Sequence, residues 1–402
     1  MVKKRILIVS TAELFPVTMM AQNRIISMIK RLSQDHAIDL LLPEKGNAQE
    51  KNYSLINYCN IFYYTHQRNF RIVKKLHYYF IVKLYIRFFF YPRTYYSIKN
   101  KNIKNTIIEL LDNKKYDIIL LHYWHLINII SGINTHNIKI ILDTHGLIYQ
   151  KEILQAKEIT NHIYRYFEVI RANKFKSLEL KSLNSANHLI FNSIVDSKTY
   201  YDIVGKSNFI IIQNGQDINY YNSIVSSENK NTILFYGSME AKQNIIAFKI
   251  FWYKIFPTIK KYNASVKLII LGANPPKWIN LLDSGLITVT GYVDDVRPFI
   301  IQSSLCIIPL TVGAGFRGRV VEVMAMGVPV VGTHNALDSI NMTHSKHGYI
   351  SDNDREMASY SIKILKNTKL QKELSDNCKR FIKENYSIEA TYGKLSKAIC
   401  DI

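Results

Sequence analysis

Short runs of consecutive apolar residues recur along the chain, and most are followed by a stretch with helical spacing. KRILIVS (residues 4–10) leads into Gln22–Leu32, and AIDLLLP (37–43), YDIILLH (116–122), IKIILDTH (138–145) and NHLIFNS (187–193) repeat the design. Uninterrupted runs such as IILL belong to strands covered on both faces, so the alternation predicts parallel sheets wrapped in helices. The pattern restarts in the second half with NTILFYGS (231–238), VKLIILG (266–272), LITVTGY (286–292), SLCIIPL (304–310) and VPVVGT (328–333). Between the halves, NFIIIQNGQDINYY (208–221) closes a strand in Asn214-Gly215, a turn pair. The expected class is α/β, with two doubly wound Rossmann-like domains facing across a cleft. The first spans 1–213 and the second 214–382. A C-terminal helix over 383–402 is expected to cross back to the first. Ligands of such sheets bind beyond the carboxyl ends of the strands.

Composition narrows the class without changing it. The chain has 402 residues, 48% hydrophobic and 21% charged, with 16 Gly, 9 Pro and 4 Cys. Disordered, collagen-like and disulfide-scaffold proteins are excluded. Cys59, Cys306, Cys378 and Cys400 share no metal or disulfide spacing, which fits a reducing cytosol. The basic start MVKKRILIVSTAELF has too short an apolar run for a signal peptide, and no stretch is long and apolar enough to span a membrane. A soluble protein is the expectation.

Charge is distributed unevenly. The net charge is +21, and between Lys51 and Lys104 there are eleven basic residues and no acidic one. Within that window, RIVKKLHYYFIVKLYIRFFFYPR (71–93) interleaves cations with aromatics. Nucleic acid, anionic lipid or a charged substrate would each suit it. No nucleic-acid-binding module is recognisable, and the cations do not gather in one stripe, so nucleic acid is not expected. Basic residues mixed with Tyr and Phe fit a membrane interface; a partly buried connecting helix is the plainer alternative.

The chemistry concentrates in SLCIIPLTVGAGFRGRVVEVMAMGVPVVGT (304–333). A buried strand ends near Leu310, the turn Gly313-Ala314-Gly315 follows, and a helix runs from Gly318 to a stop at Gly327. A Gly-rich turn at a helix start offers free N–H groups and the positive end of a dipole to phosphate. Arg317 and Arg319 add bidentate donors. Glu322 follows about one turn later, where a carboxylate can accept both hydroxyls of a ribose. The alternative is a lone helix charge beside two solvated arginines. No GxGxxG follows the first strand, and GxxxxGK[ST], HExxH and GxSxG are absent.

GAGFRGRVVEVMAMGVPVV resembles the signature of retaining glycosyltransferases of family 4, closest to members with a Gly-x-Gly-x-Arg-x-Lys/Arg loop. That resemblance implies the two-domain GT-B fold, with the N-terminal domain on the acceptor side and the C-terminal one binding a nucleotide sugar. It implies that Glu322 holds the donor ribose and that Gly313, Ala314, Gly315, Phe316, Arg317 and Arg319 meet the diphosphate and sugar. The family's usual further Glu, eight residues earlier, is here Ala314. YGSMEAKQN (236–244) resembles the loop that supplies a diphosphate Lys, here Lys242, although its Arg position is Ser238. GYVDDV (291–296) resembles the base-reading turn, at Tyr292 and Val293, and DTHG (143–146) carries the active-site His, His145. The Gly pair of the family's N-terminal loop is replaced by Thr18-Met19-Met20.

The implied activity is metal-independent, configuration-retaining transfer of a hexosyl group from a UDP- or GDP-type sugar, with His145 and Glu322 as the catalytic positions. The acceptor would be a glycan or lipid-linked glycan of bacterial envelope polysaccharide synthesis, met at the cytoplasmic membrane face through 71–93. A sugar-nucleotide epimerase or a catalytically impaired nucleotide-sugar binder of the same fold are the alternatives. His122 and His125 stand at i,i+3, a spacing that suits a metal, but no carboxylate cluster accompanies them, and no metal is expected.

Overall fold

In the computed structural model, the described residues are 2–15, 20–44, 53–65, 101–135, 137–223, 231–311 and 318–402. The basic segment 71–93, Thr18-Met19 and residues 312–317 lie outside them, so the expectations placed there, Gly313, Ala314, Gly315, Phe316 and Arg317 included, fall outside the described residues. The chain divides into two compact units: Met1–Gln213 with Tyr392–Ile402, and Asn214–Thr391.

The first unit is built on seven parallel strands: β1 (Arg5–Val9), β2 (Ala37–Glu44), β3 (Asn60–Thr65), β4 (Ile118–His122), β5 (Lys139–Asp143), β6 (His188–Phe191) and β7 (Phe209–Ile211). Their spatial order is β3-β2-β1-β4-β5-β6-β7. The continuous apolar runs are the central strands. All five residues of β4 are buried, and β1 is buried from Ile6 onward. Ile8 sits between Leu40 of β2 and Leu120 of β4, where the winding of the sheet reverses.

The second unit repeats the plan with β8 (Thr232–Tyr236), β9 (Lys267–Leu271), β10 (Ile287–Gly291), β11 (Leu305–Ile308), β12 (Val330–Gly332) and β13 (Gly348–Ile350). The order is β10-β9-β8-β11-β12-β13, again all parallel, with the reversal between β8 and β11. Its core joins Leu234, Phe235, Phe248, Phe251, Leu305, Val321 and Met324.

Two strands escape the apolar-run signal. NIFYYT is the edge strand β3, only partly covered, and its alternation of Tyr and polar ends lacks the solid run of a central strand. GYI makes β13, a three-residue edge. The helix expected over 383–402 is also two pieces: helix Thr368–Tyr386 runs past residue 383, and Lys394–Asp401 forms a separate helix after a π turn. Residues Tyr392–Ile402 belong to the first unit. There Ser396 bonds the Asp35 carboxylate at 2.6 Å and faces His36 Nε2 at 3.1 Å.

The loops beyond β8 and β9 are pressed together. Gly237 N–H donates to Leu271 O at 2.9 Å, and Met239 N–H to Ala273 O at 2.9 Å. Gly272 has φ +155°, and a Cβ there would stand 2.0 Å from Gly237 O. Gly272→Ala is therefore expected to cost the second unit at least about 2 kcal/mol, read from denaturant unfolding. Gly285→Ala, with open space around it, should change little; equal effects of the two would refute this account of the contact.

Candidate functional site

In the second unit the reversal of strand order sets Tyr236, the last residue of β8, beside the helix Gly318–Ala325 that follows β11. Val320, Val321, Val323, Met324 and Ala325 of that helix are buried in the core, which turns Arg319 and Glu322 to its other side. Gly327, at φ +75°, stops the helix as its sequence predicts, and Val328 N–H returns to Val323 O at 3.1 Å. Tyr236 Oη donates to Glu322 Oε2 at 3.1 Å, and the Arg319 guanidinium lies 5.4 Å from the centre of the Tyr236 ring. Burial raises the Glu322 carboxyl above its ordinary value, opposed by the Tyr236 hydroxyl and Arg319. Among the described residues, Tyr236 is the single hydrogen-bond partner of the Glu322 carboxylate. A half-desolvated carboxylate of this kind can take two adjacent hydroxyls.

The remaining expected contacts are more open. Lys242 is exposed at the first position of helix Lys242–Ile250. Tyr292 is 75% exposed, while Val293 packs against the core. Asp295 has a further task beyond forming a turn: both its oxygens bind Arg297, whose guanidinium stacks 3.8 Å over the Tyr220 ring and donates to Tyr220 O at 2.9 Å. Tyr236 was not singled out by the sequence reading. Its signal is positional, an aromatic hydroxyl as the last residue of the strand at the reversal.

In the first unit, four charged or polar side chains meet at the carboxyl ends of β4 and β5. Register pairs His122 with Asp143, so the last residues of two adjacent strands stand side by side. Asp143 is fully buried and accepts from Arg24 twice, Nε to Oδ2 at 2.8 Å and NH2 to Oδ1 at 3.0 Å. Arg24, on helix Met20–Leu32, also donates to Ile212 O at 2.9 Å. Burial opposes both charges, yet each holds the other: Asp143 lies well below the usual carboxylate range and Arg24 is raised. His122 Nδ1 is 3.2 Å from Asp143 Oδ2 and 3.0 Å from His145 Nε2. His145 Nε2 is 3.6 Å from the same carboxylate oxygen.

The sequence paired His122 with His125 by spacing; the structure pairs it with His145. His125 instead faces Thr11 Oγ1 at 3.0 Å through Nε2. Tyr123 stacks on His145 with centroids 4.4 Å apart, and on His125 at 5.7 Å. Tyr123 and His145 both hold positive φ, 82° and 56°. Two such residues around one carboxylate concentrate backbone strain, as functional sites often do. His122, Asp143 and His145 present ligand atoms within 4.8 Å of one another, the one grouping among the described residues that could hold a metal ion. Both Asp143 oxygens already serve Arg24, however, and a divalent ion there would face a buried guanidinium.

Glu179 is a further buried group that the sequence did not reveal. From helix His162–Leu183 it accepts from Ile148 N–H at 3.0 Å and Tyr149 N–H at 2.8 Å, closing the start of helix Ile148–Lys157 behind the DTHG turn. Burial pushes its carboxyl up to about 7, against the pull of those two donors.

Residues 230–367 match the family model described as glycosyl transferases group 1. A protein of Klebsiella pneumoniae described as an uncharacterized 44.6 kDa protein in the cps region is 23% identical over 308 residues, covering 73% of this chain and 77% of that one. Anabaena HepE in complex with UDP superposes with a TM-score of 0.67 at 13% identity, covering 99% of this chain and 100% of that one. TarM gives 0.65 at 14% identity over 98% of each. Sucrose-phosphate synthase from Thermosynechococcus elongatus gives 0.64 at 12% identity over 99% of each. The chain has the GT-B fold. In GT-B terms, the Tyr236–Glu322 pair lies within the matched region 230–367, and the Arg24–Asp143 network lies in the N-terminal unit.

Two measurements check this electrostatic picture of the GT-B chain. Arg24→Met leaves Asp143 buried without its cation and is expected to cost about 3–5 kcal/mol in chemical unfolding. Burial pushes His145 down to about 3 and His125 down to about 4, from an ordinary 6.5. The folded chain thus refuses protons that the unfolded chain takes up below pH 6.5, so stability is full above that pH and declines as pH falls toward 4. His145→Gln should flatten the slope between pH 6.5 and 4 by up to about 1.4 kcal/mol per unit; an unchanged slope would refute it.

Proposed function

We propose that this protein is a retaining glycosyltransferase, moving a hexosyl group from a UDP-type nucleotide sugar to a glycan or lipid-linked acceptor of bacterial envelope polysaccharide. The observation that carries the reading is the Tyr236–Glu322 pair at the strand-order reversal of the second unit, with Arg319 over the Tyr236 ring. It sits inside the region matching the glycosyl transferases group 1 model. The relative in the cps region supports the polysaccharide setting, and HepE, described in complexes with UDP and with UDP-glucose, supports a uridine donor over a guanosine one.

Glu322 takes the ribose hydroxyls through the oxygen that Tyr236 leaves unused. Gly313, Ala314, Gly315, Phe316, Arg317 and Arg319 line the diphosphate and sugar, Lys242 adds a cation, and Tyr292 and Val293 meet the base. Breaking the anomeric C–O bond leaves charge on the diphosphate, which these cations stabilise without a metal ion. The acceptor oxygen bonds to the anomeric carbon on the same face, and its proton leaves with a departing phosphate oxygen. His145 contacts the sugar or acceptor as a neutral imidazole. The N-terminal domain (1–213) supplies the acceptor side, and 71–93 meets anionic lipid at the cytoplasmic membrane face.

Calorimetry with UDP and GDP, with and without their common sugars, tests the donor site. Saturable UDP binding is expected, weakened about 10- to 100-fold in Glu322→Ala and less in Tyr236→Phe. Failure of the folded protein to bind any nucleotide would overturn the reading. Interconversion of the free donor sugar without a glycosylated product would replace it with an epimerase.

A further inference from the structure

The first unit holds a chain of polar groups whose protons can be located from their neighbours alone. It starts at Asp143, whose two oxygens accept from Arg24 and which is therefore an ionised acceptor with no proton to give. His122 Nδ1 comes next, 3.2 Å from Asp143 Oδ2. The other ring nitrogen of His122, Nε2, is buried and has no hydrogen-bond partner among the described residues.

With a single proton on its ring, His122 can hold it at either nitrogen. On Nε2 it would be a buried donor with nothing to receive it, and the bare Nδ1 lone pair would face a carboxylate. On Nδ1 it makes a charge-assisted bond and avoids that repulsion. The difference is one hydrogen bond to a charged group, which decides the tautomer. His145 Nε2 then stands 3.0 Å from a nitrogen that carries a proton. A second proton on His145 Nε2 would set donor against donor, and Asp143 Oδ2 at 3.6 Å is too far to accept it. His145 Nε2 is thus a shared acceptor of the His122 proton, and the ring's own proton sits on Nδ1. Burial keeps the ring from taking a second proton. The His145 side chain is 7% exposed. The Tyr123 ring stacked at 4.4 Å holds the plane of the imidazole.

We propose that the Arg24–Asp143–His122 chain fixes His145 in its Nδ1–H tautomer, so that His145 offers a ligand oxygen a hydrogen-bond donor and not a basic lone pair, with His122 the positioning residue. The ligand class is one that presents an accepting oxygen, as a sugar hydroxyl does. Its bearing on catalysis rests on the transferase reading above, but the tautomer itself does not. A general-base role for His145 is excluded on this assignment, because the only bare nitrogen of the ring is turned inward to His122.

The test is long-range proton–nitrogen correlation NMR on protein with nitrogen-15 histidine at neutral pH, without nucleotide. The His145 signals are assigned by their loss in His145→Gln. In the wild type, His145 is expected to show a protonated Nδ1 and a bare Nε2. His122→Phe removes the inward donor, so His145 is no longer held in the Nδ1–H form and the Nε2–H form becomes populated. His122→Asn, whose amide nitrogen stands near the position of the former Nδ1, should restore the original pattern. A protonated Nε2 in wild-type His145 overturns the proposal, and that spectrum alone suffices if His122→Phe does not fold. Stoichiometric zinc held after dialysis and lost in His122→Phe would overturn it equally, by making the three groups metal ligands. Neither result depends on UDP binding, so failure of this assignment and failure of the donor site are read separately.

Discussion

An arginine and an aspartate buried together, with almost no access to water, set the terms for the first unit. Neither charge is tolerable alone at that depth, and the bidentate geometry of Arg24 on Asp143 is what makes the pair affordable. The pair does more than cancel charge. It ties the helix after β1 to the end of β5, and through Ile212 O to the chain leaving β7, so three crossovers converge on one guanidinium. An aspartate locked as an anion is then the fixed acceptor from which the proton positions of the histidines follow.

The second unit meets the same requirement with different chemistry. Its carboxylate, Glu322, meets the Tyr236 phenol, with Arg319 over the Tyr236 ring, and has no other hydrogen-bond partner among the described residues. Asp143, bonded through both oxygens, organises its neighbours, whereas the Glu322 carboxylate meets one phenol among the described residues. Both stand at the reversal of strand order or one strand from it, where the diverging helices leave the strand ends uncovered.

The central strands were legible because burial on both faces demands solid apolar runs, and YDIILLH and VKLIILG leave little choice. The edge strands were not: NIFYYT is only partly covered and needs no such run, and GYI, though mostly buried, is three residues long and too short to show one. The helix that carries Arg319 and Glu322 was legible because an apolar stretch between glycines is a local feature. Arg24, Glu179 and the partnership of His122 with His145 were not, because each joins residues far apart in the chain. Arg24 and Asp143 are 119 positions apart, and nothing local in AQNRIISM separates a buried arginine from a solvated one. Tyr236 fell between the two cases, visible as a strand end but tied to Glu322 only by tertiary packing.

At position 145 the backbone and the side chain ask for different residues. A φ of +56° suits glycine, and an L side chain there costs free energy that the surrounding packing must offset. The same holds at Tyr123, at φ +82°. Selection for fold stability alone would drift both positions toward glycine and discard the imidazole and its stacked ring. Glycine at either position would relieve the backbone and remove the imidazole or the ring stacked on it, so the conformational cost and the ring contact at this spot come as one.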